Sequence, residues 1–185
     1  MNNKNNMGEK NNQDTIKEWV QVVFIAIVLA VIVKTFIFNT TLVIGESMYP
    51  TLYERDRLFV SKIFPITEGY NRGDVVVLKA PDEFHKNYIK RIIGVSGDKV
   101  EIKEGKVYLN GELLKENYIE KDIYTHTYQE DEWKVPEGYV FVLGDNRQEW
   151  ASKDSRFFGC VPEKMLKGKV NFRYYPFNYM GKLEY

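Results

Sequence analysis

Cysteine is nearly absent from the 185 residues, Cys160 standing alone, so no internal disulfide framework holds the fold. Neither sign of charge is in excess. The 26 Lys and Arg balance 26 Asp and Glu, which removes the basic field that nucleic-acid binders present to phosphate and makes nucleic acid an unexpected partner. Histidine is scarce too. His85 sits in the loop Pro81 to Asn87 and His126 between Thr125 and Thr127, and both read as surface residues rather than as the base of a Ser-His-Asp triad. Long apolar runs are limited to one, and a mean hydropathy of −0.41 excludes a polytopic membrane protein while leaving room for a single span.

What remains is a globular composition, 44% hydrophobic and 28% charged, which excludes disorder and collagen and supports one sizeable core with room for a smaller lobe. The N-terminus is organised in steps. Asn-rich and almost free of apolar residues to Gln13, it is expected to form a disordered tail over residues 1–17. From Val20 to Phe38 only Gln21, Lys34 and Thr35 are polar, and at 1.5 Å per residue the run reaches about 28 Å, close to a bilayer core. Val22 to Val33 are apolar on every face, Trp19 marks one boundary, and Lys34 can snorkel at the other. A transmembrane anchor over residues 18–38 is the expectation. A secretory signal peptide and a buried soluble helix are the alternatives, although the bulky Phe36-Ile37-Phe38 offers no small-x-small cleavage site. Lys4, Lys10 and Lys17 before the span place the tail in the cytoplasm and residues 39–185 outside.

That exported portion reads as mainly antiparallel β. Runs of β type occur at Thr41–Ile44, Arg57–Ile63, Asp74–Lys79, Tyr88–Val95, Lys99–Ile102, Lys106–Leu109 and Tyr139–Leu143, separated by turn signals. Asn110-Gly111 predicts a tight hairpin after Lys106–Leu109. The charged stretch 103–134 reads as an inserted smaller β lobe, and the aromatic segment Val170 to Tyr185 as a closing strand with core aromatics.

Three clusters carry possible chemistry. Gly45-Glu46-Ser47-Met48-Tyr49-Pro50-Thr51 follows an apolar strand, and Ser47 between Gly and Pro is placed to offer its Oγ and its backbone N–H to one carbonyl; an ordinary turn has the same composition. Lys90 lies inside Tyr88-Ile89-Lys90-Arg91-Ile92-Ile93, where strand alternation puts it on one face with Tyr88 and Ile92. Burial there lowers an amine's pKa toward that of a useful general base, whereas an edge-strand lysine would face water. The third cluster, Gly144-Asp145-Asn146-Arg147 and Ser152-Lys153-Asp154-Ser155-Arg156, combines hydroxyls, carboxylates and guanidiniums able to brace a site.

Together these clusters resemble the type I signal peptidases, membrane-anchored Ser/Lys endopeptidases that remove signal peptides from exported proteins. Ser47 to Thr51 is similar to the family's nucleophile box, Arg72-Gly73-Asp74-Val75-Val76 to its second box, Lys90 to Gly94 to its lysine box and Gly144 to Gly159 to its last. The resemblance implies that Ser47 attacks the scissile carbonyl and that neutral Lys90 acts as base and then acid through an acyl-enzyme, with no metal or cofactor. It implies that Ser152 orients the Lys90 amine, that Asp154 pairs with Arg156, and that Asp145 and Arg91 form a second, architectural pair. The substrate implied is the end of a preprotein signal peptide with small residues at the first and third positions before the cut, Ala-x-Ala in type. Membrane lipid is the surrounding and the export translocon a neighbour.

Two departures stand out: Gly45, where relatives can carry a hydroxyl that helps the oxyanion hole, and a link from Arg147 to Ser152 about two residues longer than usual. The substrate strand is expected beside Ile44 to Ser47 and Tyr88 to Lys90, with Ile44, Gly45, Met48, Tyr88 and Ile89 as its contacts. Met48, Tyr49 and Leu52 suit an outer-leaflet contact or simple core packing equally well. Other classes remain: a soluble self-cleaving Ser/Lys repressor, a sortase-like transpeptidase using Cys160, and an anchored binding module with no chemistry.

Overall fold

The structure is a computed structural model that describes residues 12–32 and 38–183. It divides into two units, Met1–Ile37 and Phe38–Tyr185.

In the first unit a single helix, α1 (Asn12–Ile32), is described. Residues 1–11 of the expected tail lie outside the described residues, but residues 12–17, expected to be disordered, are helical. No Pro or Gly interrupts Asn12 to Val20, so the helix extends outward from the apolar run at little cost per residue. Trp19, Val23, Phe24, Ile27 and Val31 are all exposed, although a helix apolar all round is ordinarily buried in protein or lipid. Among the described residues no helix is long and apolar enough to cross a membrane. The expected anchor continues beyond Ile32 through residues 33–37, which lie outside the described residues.

The second unit is mainly β. In chain order it contains β1 (Phe38–Leu42), β2 (Arg57–Ser61), α2 (Phe64–Glu68), β3 (Val75–Lys79), β4 (Asn87–Gly94), β5 (Lys99–Lys103), β6 (Lys106–Leu109), β7 (Glu112–Leu113), β8 (Glu132–Lys134), β9 (Tyr139–Leu143), α3 (Ser155–Phe158), β10 (Val161–Pro162), β11 (Leu166–Tyr175) and β12 (Gly181–Lys182). The larger sheet runs β1-β2-β11-β3-β4-β9-β10, with β12 on β11, and the smaller one β7-β6-β5-β8. Their pairings are antiparallel throughout. At the Asn110-Gly111 turn both residues have positive φ, 53° and 85°, the handedness that lets two residues join strands without splaying them; β6 pairs β7 across it. The smaller sheet starts at Lys99, upstream of the expected 103. The expected closing strand is β11, which lies between β2 and β3, where Val170 is fully buried; its aromatics are not core, Phe172 and Tyr174 being half-buried and Tyr175, Phe177 and Tyr179 exposed, because the buried positions of the strand go to Gly168 and Val170.

Alternation along β3 explains how one strand serves two cores. Val75 and Val77 pack with Met48, Leu52, Leu58 and Val60, while Val76 and Leu78 face Ile92, Val140, Val142 and Val161. A third cluster, Val100, Ile102, Val107 and Trp133 against Ile93, Phe141 and Leu143, joins the smaller sheet to β4 and β9. Each such side chain contributes about 1.5–3 kcal/mol by leaving water. Their combined effect is a rigid wall behind β4, the strand that carries Lys90.

Candidate active site

Lys90 occupies the middle of β4, opposite Val76 of β3. It is 2% exposed, not the water-facing edge residue of the bland alternative. Beyond Lys90, β9 pairs only with the far half of β4, from Arg91 to Gly94. Among the described residues the near half, Asn87 to Lys90, therefore has no strand on that side, and it borders a groove of about 640 Å³, whose facing wall is residues 40–45, Ser47 and Met48.

Ser47 enters this groove from a compact turn. Tyr49 N–H donates to Glu46 O at 3.0 Å and Leu52 N–H to Met48 O at 2.9 Å. Met48 and Leu52 are fully buried, which settles their role as core packing rather than a leaflet contact and pins the turn from beneath. Met48 still lines the groove floor. Lys90 Nζ and Ser47 Oγ are hydrogen bonded at 2.7 Å. Burial pushes the amine down to about 8, partly opposed by Asp154, reinforced by Arg156 and opposed again by Asp145 and Asp82. In the neutral form its lone pair is able to accept a hydroxyl proton from a group at this distance.

The loop after β9 closes the site from behind. Asp154 caps α3 by accepting from Arg156 N–H, the usual way a short carboxylate satisfies a helix start. Its oxygens also take the Arg156 guanidinium at 2.8 Å each and Gly144 N–H at 3.0 Å. Burial raises the Asp154 carboxyl, but those donors outweigh it and hold the group below its ordinary range. Arg91 and Asp145 form a second two-pronged pair, at 2.9 and 2.7 Å, with both side chains wholly buried. Thr51 Oγ1 donates to Asp145 at 2.5 Å, and Arg91 also holds Gly73 O at 2.8 Å, tying the Ser47 turn to β4 and to the approach to β3.

Ser152 is buried as well, but its Oγ has no hydrogen-bond partner among the described residues. The expected Ser152–Lys90 hydrogen bond is therefore not formed. The hydroxyl packs against Gly144, where a Cβ would stand 2.3 Å from Ser152 Oγ and 2.4 Å from Ser47 O. The long Arg147–Ser152 link is absorbed outward. Trp150, at φ 63°, is exposed, donates its N–H to Tyr128 Oη at 3.1 Å and packs its ring on that tyrosine, so Ser152 stays inside.

Of the expected substrate contacts, Ile44 and Gly45 are exposed on one wall of the groove, and Tyr88 and Ile89 are half-buried on the other. Gly45 has φ +86° and open space where a side chain would be. His85 lies exposed on the rim, at φ 65°, its ring against Phe84. His126 contributes its main-chain carbonyl to Arg156. Cys160 packs against the core, and burial and Glu130 push its thiol up to about 11, the opposite of an activated thiolate. No cluster of metal-ligating side chains occurs among the described residues.

Several partners escaped the sequence reading. Arg147 is buried against Glu116, Thr125 and Gly144 O, locking the smaller lobe to the loop after β9. Tyr118 lies under the Arg91 guanidinium at 3.9 Å. Glu83 gathers Tyr88, Lys86 and Lys153 and is held down at about 2 by them. Nothing in local pattern marks Glu116 or Tyr118, because Arg147 and Arg91 lie far from them in sequence; Glu83 has Lys86 and Tyr88 close by and only Lys153 far away.

Comparison with known proteins bears on this geometry. The family described as "Signal peptidase, peptidase S26" matches over residues 16–175. Signal peptidase I S of Bacillus subtilis (strain 168) is 41% identical over 91% of this chain and 94% of its own length. Signal peptidase I of Bacillus licheniformis is 38% identical, covering 94% and 96% respectively, and signal peptidase IB of Staphylococcus aureus (strain COL) is 39% identical, covering 88% and 91%.

Proposed function

Because the chain belongs to the signal peptidase family, peptidase S26, we propose that it cleaves signal peptides from exported preproteins after small residues, with Ser47 and Lys90 as its catalytic dyad. One observation carries the assignment of residues: Ser47 Oγ lies 2.7 Å from the Nζ of a lysine that burial lowers to about 8.

The reaction follows from the groove. An extended peptide enters between residues 40–45 and Asn87–Lys90, pairing with main chain on either side. The half-buried Ile89 and the buried Met48 make a shallow floor, which suits Ala at the first and third positions before the cut. As Ser47 Oγ attacks the scissile carbonyl carbon, its proton passes to Lys90 Nζ and the carbonyl oxygen becomes an oxyanion, received by the Ser47 backbone N–H. Collapse of that intermediate breaks the C–N bond, and the Lys90 ammonium protonates the leaving amine. Lys90 then takes a proton from water, which attacks the ester, and returns it to Ser47 Oγ. Asp154 with Arg156, and Asp145 with Arg91, hold the walls. Ser152, close to Ser47 across Gly144, is the group suited to accept from the Lys90 amine during turnover.

The apolar helix α1 serves, in this reading, as the start of a single-pass anchor continuing through residues 33–38, with the lysine-bearing tail cytoplasmic and the catalytic unit on the other side. Its support is the part of the helix from Val22 to Ile32, apolar on every face, which water disfavours. Resistance of the full chain to alkaline extraction from membranes tests the anchor.

The catalytic assignment is tested with a purified preprotein bearing an Ala-x-Ala site, in detergent or liposomes, cleaved by the full chain and by Ser47→Ala and Lys90→Ala. Cleavage at that site, lost in both variants, is the expected result. Retained cleavage in either folded variant sinks the dyad.

A further inference from the structure

The oxyanion donor named above, the Ser47 N–H, belongs to the peptide that joins Glu46 to Ser47, and something must fix the plane of that peptide. The bond is not among the cis peptides, so its carbonyl and its N–H point in opposite directions. On the carbonyl side the structure is heavily engaged. Glu46 O accepts from Tyr49 N–H at 3.0 Å and from Asn146 Nδ2 at 3.1 Å. Asn146 also donates its own N–H to Ser47 O at 3.1 Å, so one residue grips the carbonyls on both sides of the nucleophile. On the amide side no acceptor for Ser47 N–H occurs among the described residues.

The two sides of the turn open on different spaces. Glu46, Tyr49 and Asn146 line a cavity that also includes Gln148, whereas Gly45, Ser47 and Lys90 line the substrate groove. Asn146 is 6% exposed, and its Oδ1 is fixed by Gln148 N–H at 3.2 Å, which settles the amide orientation with Nδ2 toward Glu46. Gly144 is what lets this loop come so near, since a Cβ there would stand 2.4 Å from Ser47 O.

We propose that Asn146 is a positioning residue for the oxyanion hole: by holding the Glu46 carbonyl from behind, it turns the Ser47 N–H toward the groove and polarises the peptide so that this N–H donates more strongly. The second effect follows from the cooperativity of hydrogen bonds through a shared amide. It matters more in this chain than it would with a hydroxyl at Gly45, because no side chain there can share the oxyanion. The inference rests on the dyad reading above, in which Ser47 is the nucleophile.

Asn146→Ala removes both side-chain bonds, and Asn146→Asp keeps an acceptor for Gln148 N–H while losing the donor to Glu46 O. Either variant retains the main-chain bond to Ser47 O. Full-length protein is assayed on the Ala-x-Ala preprotein at a temperature where circular dichroism shows each variant folded. Both are expected to lose about 10- to 100-fold in kcat, less than the ~10²–10³ that deleting an oxyanion donor costs, with KM within about twofold. The acid limb of the pH profile should not move in Asn146→Ala, since Asn146 acts through the N–H and not through Lys90; Asn146→Asp adds a carboxylate and is read by kcat on the plateau of its own profile. Full kcat in either variant, a loss carried by KM, or a displaced acid limb in Asn146→Ala overturns the inference. Ser47→Ala run in parallel separates the two readings: if it still cleaves, the dyad assignment has failed, whereas an inactive Ser47→Ala beside a fully active Asn146→Asp removes the role of Asn146 alone.

Discussion

Lys90 offers the sharpest test, because its burial makes linked predictions about activity and stability. With the amine near 8, about a tenth of the enzyme carries it neutral at pH 7, half at pH 8 and about nine-tenths at pH 9. An ordinary lysine near 10.5 would be neutral in only about one molecule in 3,000 at pH 7, so burial raises the working fraction some 300-fold. The acid limb of kcat/KM should therefore rise with unit slope and bend near pH 8. The same depression costs stability. Below pH 8 the folded protein holds a buried ammonium that the unfolded chain would keep in water, a penalty of about 3 kcal/mol for the difference between 10.5 and 8. Between those values the unfolded chain binds more protons than the folded one, so stability rises with pH and the penalty is gone above 10.5. Lys90→Met removes the charge but keeps the length, and is expected to be inactive yet to melt higher than the parent at pH 7. At about 2–4 °C per kcal/mol for a chain of this size the gain reaches up to about 10 °C, and it should shrink to nothing by pH 10.5. A limb near 10.5, a flat profile from pH 6 to 9, or a Lys90→Met advantage independent of pH refutes the argument.

Four further outcomes follow from the packing. Asp145→Ala leaves the buried Arg91 guanidinium without its carboxylate and should cost about 3–5 kcal/mol in denaturant unfolding, while Arg91→Met with Asp145→Leu together recover part of it; a loss under 1 kcal/mol contradicts the burial. Gly144→Ala must displace the Ser47 carbonyl, a backbone atom that cannot swing aside, so cleavage should fall at least tenfold, and unchanged kcat counts against the close approach. Ser152→Ala deletes a hydroxyl with no partner, so stability should hold or rise by about 1 kcal/mol while cleavage drops; a clear loss of stability would show that the hydroxyl is bonded. Arg156→Gln leaves Asp154 facing Lys90 without its cation, which raises the amine and moves the acid limb of the profile alkaline, whereas a limb that stays or moves acid rejects the electrostatic coupling.

Sequence patterns revealed the catalytic unit unevenly. Strand periods in Asp74–Lys79, Tyr88–Val95 and Tyr139–Leu143 were readable because each strand packs a regular face or two, and the Asn110-Gly111 hairpin because few other residue pairs accept positive φ twice. Ser47 and Lys90 stood out through their settings, a serine between Gly and Pro and an ammonium in an apolar strand. The place of β11 inside the larger sheet was not legible, because sheet order depends on which edges remain open after other strands pair, and Val170 to Tyr185 carries no mark of that. Asn146 was visible only as part of a polar cluster. Its grip on Glu46 spans a hundred residues of chain, and Glu116 reaches Arg147 across 31, separations at which a single sequence gives no register. Helix α1 began earlier than composition suggested, since Asn-rich sequence resists packing rather than helix when an apolar helix follows directly.

The site also explains why its charged residues do not spoil the base. A lone carboxylate beside Lys90 would hold the ammonium and end its use as a base, and a lone guanidinium would add its own burial cost. Asp154 and Arg156 are instead closed on each other by two 2.8 Å bonds, and their effects on Lys90 have opposite sign. Asp145 is similarly closed by Arg91 and Thr51. With the neighbouring charges neutralised in pairs, desolvation is left as the largest influence on the amine, and the protein sets the base by how deeply β4 is buried rather than by a counter-ion. Burial is a property of the whole core, shared among β3, β4 and β9. A core substitution that lets water reach β4 should therefore alter the pH profile before it alters the dyad distance, linking activity to packing far from Ser47.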